Sequence, residues 1–428
     1  MRRSLFGDAV FAFLLKFSGT FLLFLLSIYI SRQMGAGAFG VFSLFLSILL
    51  IISVLARLGL DSHLLRLVSG LLVKTPRADF SVLYKDSFKA VLCCSLVLSL
   101  LILLGVLVSS WLQLEAKVVE FLPWVALALP FHALLLLNVY FLRGKHWIVR
   151  SSLYENVLVY LLTLVCLLVF QKLMVEDISV FALLFGVVIA ALVSFLSVYK
   201  GLKGGSELME GLPHIKSKLG ESLPMMGTSL ATIAFVTVDV FLLSFFVGFR
   251  ELGVYAAAAK LVGFVSFPLM AITSMAGSRL SEADAKGDVL LLQKTYREMT
   301  RLVVWSGMPI LIVLVLAPGL FLTLFGEMFL AAEPVVYVLL IGQFVNLIMG
   351  PVGYLLWMTG KARELQYVTL FSLLVLIVLS VVLMPSLGME GAAIAVSSAL
   401  MIKALGCWWL VRKRLGFDPM YIPGKEII

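Results

Sequence analysis

Apolar runs of about 20 residues, long enough for a helix to cross a hydrocarbon core of roughly 30 Å, follow one another along the whole chain. Short polar or Gly/Pro-containing gaps separate them. The pattern predicts spans at 9–30, 39–60, 88–110, 121–142, 152–171 and 178–199, then at 222–247, 252–275, 302–325, 334–358, 365–384 and 390–411. The polar gaps near 201–221 and 278–301 are the longest, and both are too short for a separate folded domain. The expected architecture is an all-α integral membrane protein of about 12 transmembrane helices. It divides into two parallel six-helix bundles, 1–205 and 206–428. The first run, 9–30, exceeds the 7–15 apolar residues of a secretory signal core and reads as a span.

An internal echo supports the division. Gly35, Gly40, Val41 and Phe42 are answered by Gly248, Gly253, Val254 and Tyr255, each at an offset of 213 residues. Arg66 and Arg279 keep the same offset after the second span of each half, and Gly144-Lys145 and Gly360-Lys361 both follow the fourth. Six spans per half return the chain to its starting side, so the halves are expected to be related by a pseudo-two-fold axis along the membrane normal.

Composition agrees with the pattern. Hydrophobic residues make up 62% of the chain and charged residues 13%, against roughly 45–50% and 25% in soluble domains. With the N-terminus placed in the cytoplasm, 25 of the 33 Lys and Arg residues fall in inner segments and 4 in outer ones. The positive-inside rule therefore puts both termini in the cytoplasm. The net charge of +9 follows from this bias and from contact with anionic membrane lipids. The basic residues are scattered over many short loops, which gives no footprint for nucleic acid. The four cysteines, Cys93, Cys94, Cys166 and Cys407, lie in apolar runs and are expected as buried small hydrophobes.

Charges inside the spans are costly, about 2.5–3.5 kcal/mol each near the bilayer centre, and such residues tend to face a cavity or a partner. Lys16, Asp239, Lys260 and Lys403 are in this position. Lys16, Thr20 and Ser27 stand at i, i+4 and i+11, on one stripe of the first helix. Thr228, Thr232 and Asp239 repeat that spacing in the seventh. For the hydroxyls, helix-to-helix bonding is the favoured reading and substrate contact the second. For Lys16 and Asp239 the order is reversed. Lys260 divides evenly between a cavity charge and an ion pair with Asp239. Arg57 and Asp61 read first as a structural i, i+4 pair or as snorkelling side chains. Asn138, Gln343 and Asn346 read first as helix-to-helix bonds, and Glu155 and Asn156 as a solvated helix end. The mixed-charge stretch 278–301 reads as an amphipathic connector on the inner surface.

The chain has no GxxxxGK[ST] phosphate loop, no HExxH zinc motif and no GxSxG nucleophile elbow. No cofactor or metal is called for, and the chain does not read as an enzyme.

Further residues carry a family likeness. These are Arg32-Gln33-Met34-Gly35 through Gly40-Val41-Phe42-Ser43, Leu58-Gly59-Leu60-Asp61, and Leu65-Arg66. Gly248 through Gly253-Val254-Tyr255, Gly360-Lys361 and Leu387-Gly388-Met389-Glu390-Gly391-Ala392-Ala393 complete the set. With them the chain resembles the polysaccharide transporters, or Wzx-type flippases, of the multidrug/oligosaccharidyl-lipid/polysaccharide exporter superfamily. The resemblance implies a 12-helix flippase that moves a polyprenyl-diphosphate-linked glycan from inner to outer leaflet by alternating access. It also implies contact with polysaccharide polymerase machinery. In that setting Lys16 and Lys260 would offset the anionic diphosphate, with Thr20, Thr228, Thr232 and Asn346 as further substrate contacts. Asp239 would bind a proton or sodium ion, or neutralise a lysine. The alternatives are an ion-coupled exporter of drugs or organic cations and, from another class, a membrane enzyme acting on lipid-linked sugars. An excess of internal lysine argues against the first, and the absence of a large outer loop against the second.

Overall fold

The structure, a computed structural model, describes residues 5–74, 79–111, 117–170, 178–202 and 219–419. The boundary expected at 205/206 lies outside the described residues, as do the loop charges Arg2, Arg3, Arg77, Lys172, Lys203, Lys216, Lys218 and Lys425. All secondary structure among the described residues is helical. Among them, 10 helical stretches are long and apolar enough to cross a membrane, and the protein is a multi-pass membrane protein. Helix α3 (Ser81–Trp111) shows why no aqueous fold suits it, because Leu96, Leu100, Leu103, Leu104 and Leu107 are all exposed. A patch of that kind belongs against lipid.

Two of the ten stretches, Phe11–Arg57 and Ala362–Leu415, have 47 and 54 residues. At 1.5 Å per residue they would rise about 70 and 80 Å, more than twice the hydrocarbon core. Each breaks at a glycine. Helix α1 (Leu5–Arg57) breaks at Gly35 (φ 86, ψ 173), inside the gap predicted between 30 and 39. The last helix, α15 (Ala362–Leu415), breaks at Gly388 (φ 53, ψ −124), inside the gap predicted between 384 and 390.

The chain forms two compact units, Met1–Ile30 with Val41–Thr237, and Ser31–Gly40 with Val238–Ile428. The first unit is built around α4 (Leu122–Gly144), whose apolar residues run round the helix and are mostly buried. It packs against α2 (Leu60–Lys74), α3 and α7 (Ile178–Leu202). A buried polar chain pins the three longer helices together. Tyr84 OH of α3 donates to Asn138 Oδ1 of α4 at 2.6 Å, and Asn138 Nδ2 donates to Ser194 Oγ of α7 at 2.9 Å. The helix-to-helix reading of Asn138 holds. After α4 come α5 (Ile148–Ser152), a π-helical stretch Leu153–Leu158 and α6 (Val159–Phe170). Helix α8 (Leu219–Leu243) completes this unit as far as Thr237.

In the second unit, α9 (Phe249–Gly263) crosses the segment Ser31–Gly40 at closest range. A methyl on Gly40 would overlap the Phe249 carbonyl oxygen, and one on Gly253 would overlap that of Ala36. Ala36 and Phe249 are also 213 residues apart. The contact is thus reciprocal: each glycine faces the carbonyl oxygen four residues before the other. The unit continues through α10 (Phe267–Ala285), α11 (Val289–Leu316), α12 (Pro318–Leu322), α13 (Glu333–Met349) and α14 (Val352–Met358) to α15.

Several expectations change in this unit. The single span 334–358 is two helices, because Gly350 (φ 66) and Pro351 end α13 and the Met349 carbonyl is taken by Tyr296 OH at 2.7 Å. The stretch 278–301 is the end of α10 and the start of α11, joined at Lys286–Asp288, where Asp288 caps α11 by accepting from Leu291 N–H. Cys166 and Cys407 are buried, but Cys93 is exposed and Cys94 half-buried.

Candidate functional site

A cavity of about 380 Å³ lies within the first unit. Leu46, Leu49 and Leu50 of α1 form one wall, and α4 and α6 supply Leu135, Leu136 and Val159. The polar lining comes from the α1–α2 corner, α4, the π-helical stretch, α6 and α8.

The corner is the most constrained element. Leu58 (φ 52) and Gly59 (φ 72) both adopt left-handed backbone, which turns α1 sharply into α2. Leu58 N–H bonds the Leu55 carbonyl at 3.1 Å and His63 N–H bonds that of Gly59 at 3.1 Å. Across the turn, Arg57 Nη1 donates to Asp61 Oδ2 at 2.7 Å, with side-chain exposures of 6% and 4%. Arg57 Nε also donates to the Ser53 carbonyl at 3.0 Å, and Asp61 Oδ1 accepts from Ser62 N–H at 2.7 Å. Each ion removed from water costs several kcal/mol, which only a near-complete set of such bonds offsets. The predicted i, i+4 pair is present, but it is buried rather than snorkelling. From Gly35 to Arg57 the helix rises about 33 Å, a full hydrocarbon thickness. Arg57 therefore sits at the opposite end of that crossing from the Gly35 break.

Gly59 sets how closely α8 approaches. A Cβ there would overlap the Ser222 carbonyl oxygen and lie 2.7 Å from Met226 N. This contact brings Thr228, Ser229 and Thr232 of α8 to the cavity wall. The hydroxyls of Thr228 and Thr232 donate to the Pro224 and Thr228 carbonyls at 3.1 and 2.9 Å, leaving lone pairs for another donor.

On α4, His132, Leu136 and Tyr140 line the cavity at i, i+4 and i+8. His132 Nδ1 lies 2.9 Å from Ser53 Oγ. From the π-helical stretch and α6 come Glu155, Asn156 and Tyr160. Glu155 is ion-paired with Arg143, which also stacks over the Tyr140 ring at 5.2 Å. Glu155 is thus a paired carboxylate on a cavity wall, not a solvated helix end. Helix α1 passes close to this stretch, since a Cβ on Gly19 would overlap the Asn156 carbonyl oxygen. Beyond the end of α4, Lys145 Nζ donates to the Gly201 carbonyl at 2.7 Å, and burial lowers its pKa against the opposing pull of Asp79.

The residues singled out from sequence fall in different places. Thr228 and Thr232 line the cavity. Lys16 is exposed on α1, and Thr20 donates to its carbonyl at 3.0 Å; neither is among the cavity-lining residues. Asp239 and Lys260 belong to the second unit and form no ion pair with each other. Asp239 Oδ2 accepts from Tyr255 OH at 2.7 Å, while its Oδ1 is buried without a hydrogen-bond partner among the described residues. Lys260 Nζ instead sits 5.7 Å from the centre of the Phe39 ring. Asn346 Nδ2 is 3.5 Å from Gln343 Oε1, which accepts from Ser266 Oγ at 3.1 Å. The cavity-lining His132, Tyr140 and Tyr160 were not singled out; the i, i+4, i+8 stripe on α4 is the signal that marks two of them.

This is the fold of the multidrug/oligosaccharidyl-lipid/polysaccharide (MOP) transporters. An inward-facing multidrug resistance MATE family transporter of that superfamily superposes with a TM-score of 0.73, at 16% identity, over 95% of this chain and 98% of that one. The lipid II flippase MurJ, in an inward closed conformation, gives a TM-score of 0.68 at 14% identity over 95% and 87%. A MOP superfamily transporter from Pyrococcus furiosus gives 0.66 at 15% identity over 97% of both chains. At such identities the likeness is one of fold.

Sequence narrows the class. Residues 7–277, more than half of the chain, match the polysaccharide biosynthesis protein family, and the chain belongs to it. The teichuronic acid biosynthesis protein TuaB of Bacillus subtilis (strain 168) is 29% identical over 126 residues, 29% of this chain. That match spans about a quarter (26%) of the relative's length.

Proposed function

We propose that the protein moves a polyprenyl-diphosphate-linked oligosaccharide from the inner to the outer leaflet of the cytoplasmic membrane. The carrying observation is membership of a polysaccharide biosynthesis family by a chain with the MOP transporter fold. In this reading α1 and α15 each cross twice, giving twelve crossings in two six-helix halves that alternate access, with both termini in the cytoplasm. The substrate's covalent bonds are untouched. The reciprocal contact of Gly40 and Gly253 supports the two-fold repeat. The lysine and arginine bias supports the orientation.

Lys16 and Lys260 offset the charge of the diphosphate as it leaves water. Thr20, Thr228, Thr232 and Asn346 are the neutral contacts. Complementation of a flippase-deficient strain tests this. The wild-type protein should restore surface polysaccharide, and the Lys16→Ala/Lys260→Ala double variant should insert normally yet export none. Full export by that variant removes the two lysines from the mechanism.

Asp239 is the candidate coupling site. Tyr255 satisfies one carboxyl oxygen and Lys260 does not neutralise it, which leaves room for a proton or sodium ion at Oδ1. Export should follow an imposed pH or Na⁺ gradient, and Asp239→Asn should make it indifferent to that gradient. Unaltered gradient dependence in Asp239→Asn would rule the site out.

A further inference from the structure

The cavity in the first unit carries charge in compensated form only. Arg57 is neutralised by Asp61 and Arg143 by Glu155. A formally neutral site gives a diphosphate or an organic cation no net charge to offset its lost hydration. It does offer many uncharged hydrogen-bonding groups. The hydroxyls of Tyr140, Tyr160 and Ser229 have no hydrogen-bond partner among the described residues, and those of Thr228 and Thr232 keep acceptor capacity. The two tyrosines add aromatic surface. The π-helical stretch Leu153–Leu158 places Glu155 and Asn156 side by side on the wall. Such stretches are rare and frequently mark functional sites. The volume of about 380 Å³ lies within the range of small-molecule pockets, roughly 300–1,000 Å³.

An uncharged ligand rich in hydroxyls, each both donor and acceptor, and with apolar C–H faces fits this lining. We infer that the first-unit cavity seats sugar rings of the lipid-linked substrate, with the diphosphate held elsewhere. The inference rests on the proposed flippase function and assigns the part of the substrate that each region meets. Tyr160 and Ser229 are its most direct probes, because their hydroxyls are not committed to the fold.

The test uses the full chain in lipid nanodiscs and two probes: polyprenyl diphosphate bearing an oligosaccharide extracted from flippase-deficient cells, and the same lipid without sugar. Wild-type protein should bind the sugar-bearing lipid at least tenfold more tightly, a difference of about 1.4 kcal/mol. Ser229→Trp, which fills the cavity, should erase that preference while leaving affinity for the bare lipid unchanged. Tyr160→Phe, which keeps shape and packing, should reduce it several-fold. Equal weakening of both lipids would place the diphosphate in the cavity and overturn the inference, as would an unchanged preference in both variants. If wild-type protein bound neither lipid, the flippase reading itself would fail and the inference with it.

Discussion

Arg57→Met should destabilise the protein by about 3–5 kcal/mol, and Arg57→Met/Asp61→Leu should recover most of that loss. The single change leaves the Asp61 carboxylate, 4% exposed, with the Ser62 N–H as its one hydrogen-bond donor among the described residues. The double change removes both ions and both desolvation costs. The apolar pair can then pack against the leucines of α1 and α4. Thermal unfolding of the purified variants, read by a helix signal, separates the cases. A double variant as unstable as the single one would show that the ion pair is not what holds the corner. Export is a separate readout. If the pair also shapes the cavity, the double variant should be stable and still defective.

Gly59→Ala should lower stability by about 2–5 kcal/mol, from left-handed strain and from overpacking together. The backbone at φ 72 disfavours any side chain, and the added methyl meets the Ser222 carbonyl, which is backbone and cannot swing aside. Relief would require α8 to move away, carrying Thr228 and Thr232 with it. Gly70→Ala is the control. That glycine lies within α2, an added methyl there meets nothing within 4 Å, and alanine is the better helix former. Folded yield and melting temperature of the two variants should therefore move in opposite directions. Equal tolerance at both positions would contradict the close approach of α8 to the corner.

These two predictions bear on how much was legible in the sequence. The helices were, because in a bilayer an apolar run of sufficient length leaves little else for the chain to do. The breaks at Gly35 and Gly388 were also visible as punctuation. The split at Gly350-Pro351 was visible as an interruption. Its consequence, two separate helices, depends on Tyr296 arriving from α11 to take the freed carbonyl. The Arg57–Asp61 pair follows from spacing along one turn, but its burial does not. Spacing along one segment says nothing about the helices that close over it. Glu155 shows the same limit: its position near a span end suggested water, whereas Arg143, twelve residues earlier, turns it into part of a wall. Thr228 and Thr232 share a stripe with Asp239, a property legible in a single helix, but only the two threonines of that stripe line the cavity. Of the two even readings of Lys260, the pair with Asp239 is not formed, and Tyr255 stands at the carboxyl instead.

The central claim is translocation of a lipid-linked glycan, and reconstitution into vesicles tests it most directly. Purified protein would be inserted into liposomes carrying a fluorescent polyprenyl-diphosphate oligosaccharide in both leaflets. A membrane-impermeant quencher would then report the fraction reachable from outside. The account predicts that protein-containing vesicles expose nearly all of the labelled lipid, while protein-free vesicles expose about half, because spontaneous movement of so polar a headgroup through hydrocarbon is strongly unfavourable. Quenching that stops at the protein-free level, with folded protein present, would contradict it.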